Sequence, residues 1–520
     1  MKNILSILAF SLSLLSCTEG ILLNSPITGN ETTGGLSHEM IVLGDKLEDP
    51  YSVENMTRAY ESLYPTKAGR NPLPTTDLYV RFLPCDDAQM KELESLGLTL
   101  LDHPVDFEIV KEGDYYHDPE VEEGAITWQY AVVDKDFEFP EGIRCEILDN
   151  CHIPADGAGT KAGDVDWKAV EERSFQLTGN AAMLRSSVQI GSGVPKGRIT
   201  ILDERYGNVP VGVAGVRVSC NVFVKFDKCY TDEEGNYEMT RTFTSEPRYR
   251  LVFKNEKGFG IGLNLILVQA SVSTMGKGSP NGVDLDVTKD SDRSLFTRCV
   301  VNNAGYDYYS YCHSSSVTAP PSNLRVWILK EMGLSAAVML QQGAAIDGTL
   351  IGDFLGEYSF LVKMLLPDVL LGLRGCNDYS SVYAEAMRGF AHASHYVQAG
   401  NGYWNRLAVY VLKSFLTSGF VYYGAGTEPD HGYCEVGQMW AYYMQTKMFR
   451  LRYPDSGEFF GTSYWFKPQI FNYLDERGIG MQKILNALTP DITDVDILQE
   501  KLIYMYPESK SIITQAFVRY

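Results

Sequence analysis

The sequence predicts a multi-domain α+β protein: an N-terminal α+β region, a central β-sandwich and a mostly helical C-terminal part. Three observations carry this expectation. The chain has 520 residues, 45% of them hydrophobic and 21% charged, enough to bury several cores and long enough for about three domains. Between residues 195 and 267 the pattern turns to short, alternating, β-branched runs broken by turn residues. Beyond residue 380, helices are expected at about 380–399, 403–418, 434–452 and 481–488.

The first element reads as a leader. Met1-Lys2 is a short charged start, residues 4–15 are an apolar run too short to span a bilayer, and Leu14-Leu15-Ser16-Cys17 forms a lipobox. Residues 1–17 are therefore expected to be a lipoprotein signal peptide. Acylation of Cys17, by palmitate among other chains, would make the lipid bilayer a partner. Residues 18–38, rich in Ser, Thr, Gly and Asn, read as a tether. The expected location is outside the cytoplasm, in a Gram-negative cell envelope, on the outer membrane or its periplasmic side. A net charge of -21 and a pI near 4.9 argue against nucleic acid and anionic surfaces as partners.

Residues 39–190 are expected to form the N-terminal α+β domain. Residues 78–82 alternate as a half-buried strand, 86–96 have helical spacing with an acidic first turn, and 126–133 read as another strand. His117 and Asp118 together suggest a ligand pair or, more simply, a polar turn before Pro119. Residues 195–270 carry the sandwich, with strands at 197–202, 213–220 and 249–253. In YTDEEGNYEM a strand-turn-strand is expected, with Gly235-Asn236 in a turn needing positive φ. Asp232, Glu233 and Glu234 read as a solvated turn, since Ca²⁺ needs six or more converging oxygens.

Residues 275–520 form the last expected domain, with short strands at 324–329 and 368–371. Asp378 or Ser380 is placed to cap the helix at 380. The aromatic cluster at 306–312 suits glycan or peptide contact, or partly buried loop and strand. With Cys17 acylated, nine of the ten cysteines remain. Cys145/Cys151 and Cys220/Cys229 are the close-spaced bridge candidates, and buried small hydrophobes are the alternative.

The segment AEAMRGFAHASHYVQAGNGYW, residues 384–404, resembles the active-site helix of secreted bacterial zincin-like proteins, which reads HELxHASHY in that family. In HExxH two histidines four apart hold one Zn²⁺ and the Glu polarises water. Aligned here, His392 keeps the second ligand position, Arg388 replaces the first, and Gly389 replaces the general base. The family's third ligand is a Glu two residues before a Trp-Ala pair, and in GYCEVGQMWAYYM that position is Gln438. GDYYHDP and ITWQY are similar to segments of the same lipoprotein group. GRITILDERYGNVPVGVAGVRVSC with YTDEEGNYEM resembles carboxypeptidase regulatory-like domains, which are transthyretin-type sandwiches and act as spacers or supports.

The resemblance implies a C-terminal zincin-like metallopeptidase fold with a degenerate site at Arg388, His392 and Gln438, and no catalytic residue. A guanidinium about 4 Å from a dication would be opposed by about 8 kcal/mol at an effective dielectric of about 20. No cofactor is therefore expected, and whether the chain is an enzyme is left open. The alternative is a zinc peptidase with displaced ligands drawn from His392, His395, His431 and Glu435. The leading expectation is a non-catalytic pseudopeptidase that binds a peptide or glycopeptide. A structural or adhesive surface lipoprotein is the third possibility.

Overall fold

Asp86, Ser52 and Asp166 each stand just before a helix and accept a hydrogen bond from its exposed N–H groups, at Gln89, Asn55 and Ala169. These caps set the start of the N-terminal helices. In this computed structural model the described residues are 40–65, 72–113, 115–122, 125–155, 165–184, 192–207, 209–262, 272–355, 366–417 and 423–520. Cys17 and the tether at 18–38 lie outside them.

The first elements are β1 (Val42–Lys46), α1 (Val53–Leu63), β2 (Asp77–Leu83), α2 (Asp87–Ser95), β3 (Phe107–Lys111), β4 (Gln129–Asp134), β5 (Arg144–Cys151) and α3 (Trp167–Leu177). β2 is the middle of an antiparallel sheet ordered β4-β2-β5, while β1 pairs with β3. The period-two pattern of β2 explains its place. Leu78, Val80 and Phe82 pack with Leu93 of α2, and Tyr79 on the opposite face joins the main core. His117 and Asp118 form the polar turn: His117 Nε2 lies 3.1 Å from the Val121 carbonyl, and Asp118 accepts the Glu120 N–H at 2.9 Å.

The central strands are β6 (Lys196–Ile201), β7 (Val211–Gly212), β8 (Val216–Val222), β9 (Lys225–Tyr230), β10 (Asn236–Glu238), β11 (Arg248–Asn255), β12 (Gly260–Ile261), β13 (Val272–Lys277) and β14 (Leu285–Val287). They fall in two sheets. The smaller runs β10-β6-β14 with β7 on β6. The larger has eight strands and continues through β15 (Arg325–Leu329), β17 (Val369–Gly372) and β16 (Ala336–Ala337). Because β12 pairs in parallel with β15, one sheet runs across the boundary expected near 270–275. Gly235 takes φ 83°, and a Cβ there would sit 2.1 Å from the Ile199 carbonyl oxygen, so the turn requires glycine on both counts. Asp232 accepts the Asn236 N–H at 2.7 Å, as a turn residue does.

Neither candidate disulfide forms, and the alternative of unbridged cysteines holds. Cys85, Cys145, Cys151, Cys220, Cys229, Cys299, Cys312, Cys376 and Cys434 are all free thiols. Cys145 and Cys151 are six residues apart along the extended β5, too far to bridge. On β8 and β9, Cys220 pairs with Asp227 and Cys229 with Val218, so the two cysteines stand off register.

The remaining helices are α4 (Arg293–Ser315), α5 (Gly348–Leu355), α6 (Tyr379–Thr417), α7 (His431–Arg452), α8 (Gln469–Glu476), α9 (Met481–Ala487), α10 (Val495–Met505) and α11 (Lys510–Arg519). α4 corrects the expectation of loop and strand at 306–312. Tyr308 is fully buried and hydrogen-bonds Ser394 at 2.8 Å, and Tyr309 donates to the Pro321 carbonyl at 2.6 Å. Residues 296–306 of α4 are all buried, so no polar stripe reveals that half as a helix. Asp378 caps α6 by accepting the Ser381 N–H at 2.9 Å. Gly400, at φ 75° and ψ 174°, breaks α6 between the two helices expected there.

Candidate functional site

α6 packs against α7, α4 and the β16–β17 edge of the large sheet, so its first half is buried nearly all round. Two glycines permit this approach. A Cβ on Gly389 would lie 2.8 Å from Val369 Cγ1 and 2.9 Å from Leu371 Cδ2, and one on Gly437 would lie 2.2 Å from Leu407 Cδ1. The position aligned with a general base is thus a packing contact with β17. Indole nitrogens pin the assembly: Trp440 donates to the Ala391 carbonyl at 3.1 Å and Trp404 to the Ala337 carbonyl at 2.7 Å.

His392 and Gln438 meet across this interface. Nε2 of His392 lies 3.3 Å from Oε1 of Gln438, so the ring donates, and its buried Nδ1 has no partner among the described residues. Burial lowers His392 to about 3, the Arg388 and His395 charges push in the same direction, and the Gln438 contact opposes them. His395 is fully buried beside Tyr403 at 5.1 Å and Trp404 at 5.5 Å, and neither ring nitrogen has a hydrogen-bond partner among the described residues. Burial alone lowers it to about 3. Both imidazoles are neutral.

Arg388 is engaged by other groups. Its guanidinium pairs with Glu385, one turn back on α6, donates to the Tyr423 hydroxyl, and stands 5.1 Å from the Tyr442 ring centre. The side chain is 5% exposed, and Glu385 with the two phenols raises its pKa against the effect of burial. Glu385, Tyr423 and Tyr442 were not among the sequence candidates. The three-residue spacing of Glu385 and Arg388 is a signal that could have found the first, but nothing local marks the others.

The displaced-ligand set is not assembled. His431 sits at the start of α7, with Nδ1 2.9 Å from the Glu428 carbonyl and its ring against Trp465. Glu435 is partly buried, and the charges that act on it are those of His431, Asp494 and Asp496. Among the described residues no three His, Cys, Asp or Glu side chains converge as a metal ion needs. A guanidinium, a glycine and an amide do not fit zinc in place of its usual ligands. Compared with known proteins, the chain matches no family model, no curated protein and no solved structure.

Proposed function

We propose that this chain is a non-catalytic, lipid-anchored protein of the cell envelope. In this reading the helix pair resembling a zinc peptidase persists as a packing unit without hydrolytic chemistry. The carrying observation is Arg388: a buried cation, held by Glu385 and the Tyr423 hydroxyl, stands where the resemblance would put the first zinc ligand. His392 is occupied by Gln438, and Gly389 offers no base. Arg388, His392 and Gln438 are 5%, 5% and 2% exposed, so a peptide could not reach them without parting α6 from α7. A binding role for the protein therefore belongs to another surface.

The test is zinc content and peptidase activity of the purified protein after zinc loading. The expected result is substoichiometric zinc and no cleavage of a casein substrate. Near-unit zinc that disappears in His392→Ala would overturn the reading.

A further inference from the structure

Three cations share one face of the large sheet. Arg248 and Arg250 stand two apart on β11, and alternate residues of a strand point the same way. Arg248 is in register with Lys277 on β13 and Asn221 on β8, and Arg250 with Thr274 and Ser219. Like charges directly opposite one another, as Arg248 and Lys277 are, weaken a sheet. All three cations line a cavity of about 300 Å³, whose other walls include Phe107, Met183 and Phe223. That volume lies at the lower end of the range for small organic ligands.

The three cations are not equivalent. Arg248 pairs with Glu112, and Lys277 is exposed, where solvent screens it. Arg250 is 5% exposed and, among the described residues, forms no ion pair. Its Nη1 donates to Asn221 Oδ1 at 2.5 Å, and its Nη2 lies 3.5 Å from His103 Nε2. Both partners are neutral. Burial lowers His103, whose Nδ1 lies 2.7 Å from Asp102 Oδ1, so the ring donates there and presents a lone pair to Arg250. Asp102 spends its second oxygen on the Tyr116 N–H at 2.8 Å. Burial lowers Arg250 to about 10, with Arg248 pushing the same way and Asp102 opposing, so the guanidinium keeps its charge at neutral pH.

Asn221 fixes the direction of that charge. Besides accepting from Arg250, it donates from Nδ2 to the Phe223 carbonyl at 2.8 Å, in the turn between β8 and β9 where Phe223 takes φ 47°, uncommon for a bulky residue. A planar guanidinium meets a carboxylate through two parallel N–H···O bonds, and a carboxylate brings the single charge that Arg250 lacks. A phosphate dianion would bring a second charge beside Glu108 and Glu246, which also line the cavity. Phe107, Phe223 and Met183 supply apolar surface for the rest of such a molecule. We propose that this cavity binds a small organic acid, its carboxylate paired with Arg250 and its apolar body against Phe107, Phe223 and Met183. The site lies apart from α6 and α7 and does not depend on the role assigned to them.

Isothermal titration calorimetry on the full chain at neutral pH tests this, with 3-phenylpropionate and its amide as probes. The acid should bind with a Kd of about 1 mM or tighter, and the amide at least about tenfold more weakly. Arg250→Met should weaken the acid at least about tenfold as well. Lys413→Gln removes one exposed charge on α6 and should leave the affinity unchanged. If Arg250→Met fails to fold by circular dichroism, Met183→Trp, which fills the cavity from its wall, should abolish binding. Equal affinity for acid and amide, no binding of the acid at about 10 mM, or equal weakening by Lys413→Gln and the cavity variant would overturn the proposal.

Discussion

His392 donates from Nε2 to the side-chain oxygen of Gln438 across 3.3 Å, and this bond joins α6 to α7 at the place where the zincin resemblance would put a metal. A neutral imidazole suits that bond. The same burial that keeps it neutral makes the helix pair sensitive to acid.

The histidines set the sign of one pH effect. His392 and His395 are lowered from about 6.5 to about 3 in the folded chain. The unfolded chain therefore binds more protons between those values, and stability complete above pH 6.5 is lost as pH falls, at ~1.4 kcal/mol per unit for each ring. Urea unfolding of His395→Phe between pH 6 and 4 should show a dependence flatter than that of the parent by about that amount. An unchanged slope would contradict a neutral, buried His395.

Arg388 should matter to stability rather than to catalysis. Arg388→Met strands Glu385 beside an apolar interior, and the expected loss is about 3 kcal/mol in urea unfolding. Adding Glu385→Met should recover part of it, because the unpaired charge is then gone. A fully additive double variant would mean that the pair is not coupled.

Gly389 tests the packing of α6 on β17. With a Cβ meeting Val369 and Leu371 below 3 Å, Gly389→Ala should destabilise by about 1–3 kcal/mol, and Val369→Ala should relieve part of that in the double variant. For the same reason Arg388→His, Gly389→Glu and Gln438→Glu together are expected to lower the unfolding midpoint rather than restore a zinc site. Calorimetric unfolding measures both.

Gly400 isolates a backbone effect. Among the described residues nothing beyond the local backbone stands within 4 Å of where its Cβ would be, so Gly400→Ala chiefly forces alanine into φ 75°. A loss of about 1–2 kcal/mol is expected, with Gly400→Asn milder because asparagine tolerates positive φ. Equal stability of all three chains would mean that the kink relaxes.

By itself the sequence determined what neighbouring residues settle among themselves. The alternation of 78–82, the helical spacing of 86–96, a helix start at Asp378 or Ser380, the Gly235 turn and separate helices at 380–399 and 403–418 all depend on chemistry a few residues wide. The spacing of Arg388, Gly389 and His392 along one helix was legible for the same reason. Tertiary structure alone decided the rest. Tyr423 reaches Arg388 from 35 residues away, and Gln438 reaches His392 from 46. The aromatic run at 306–312 lies in a helix whose residues 296–306 are buried all round, so no continuous polar stripe marks it. Burial turns a residue's ordinary hydrogen-bonding demand into a constraint, and burial is a property of which distant segments meet.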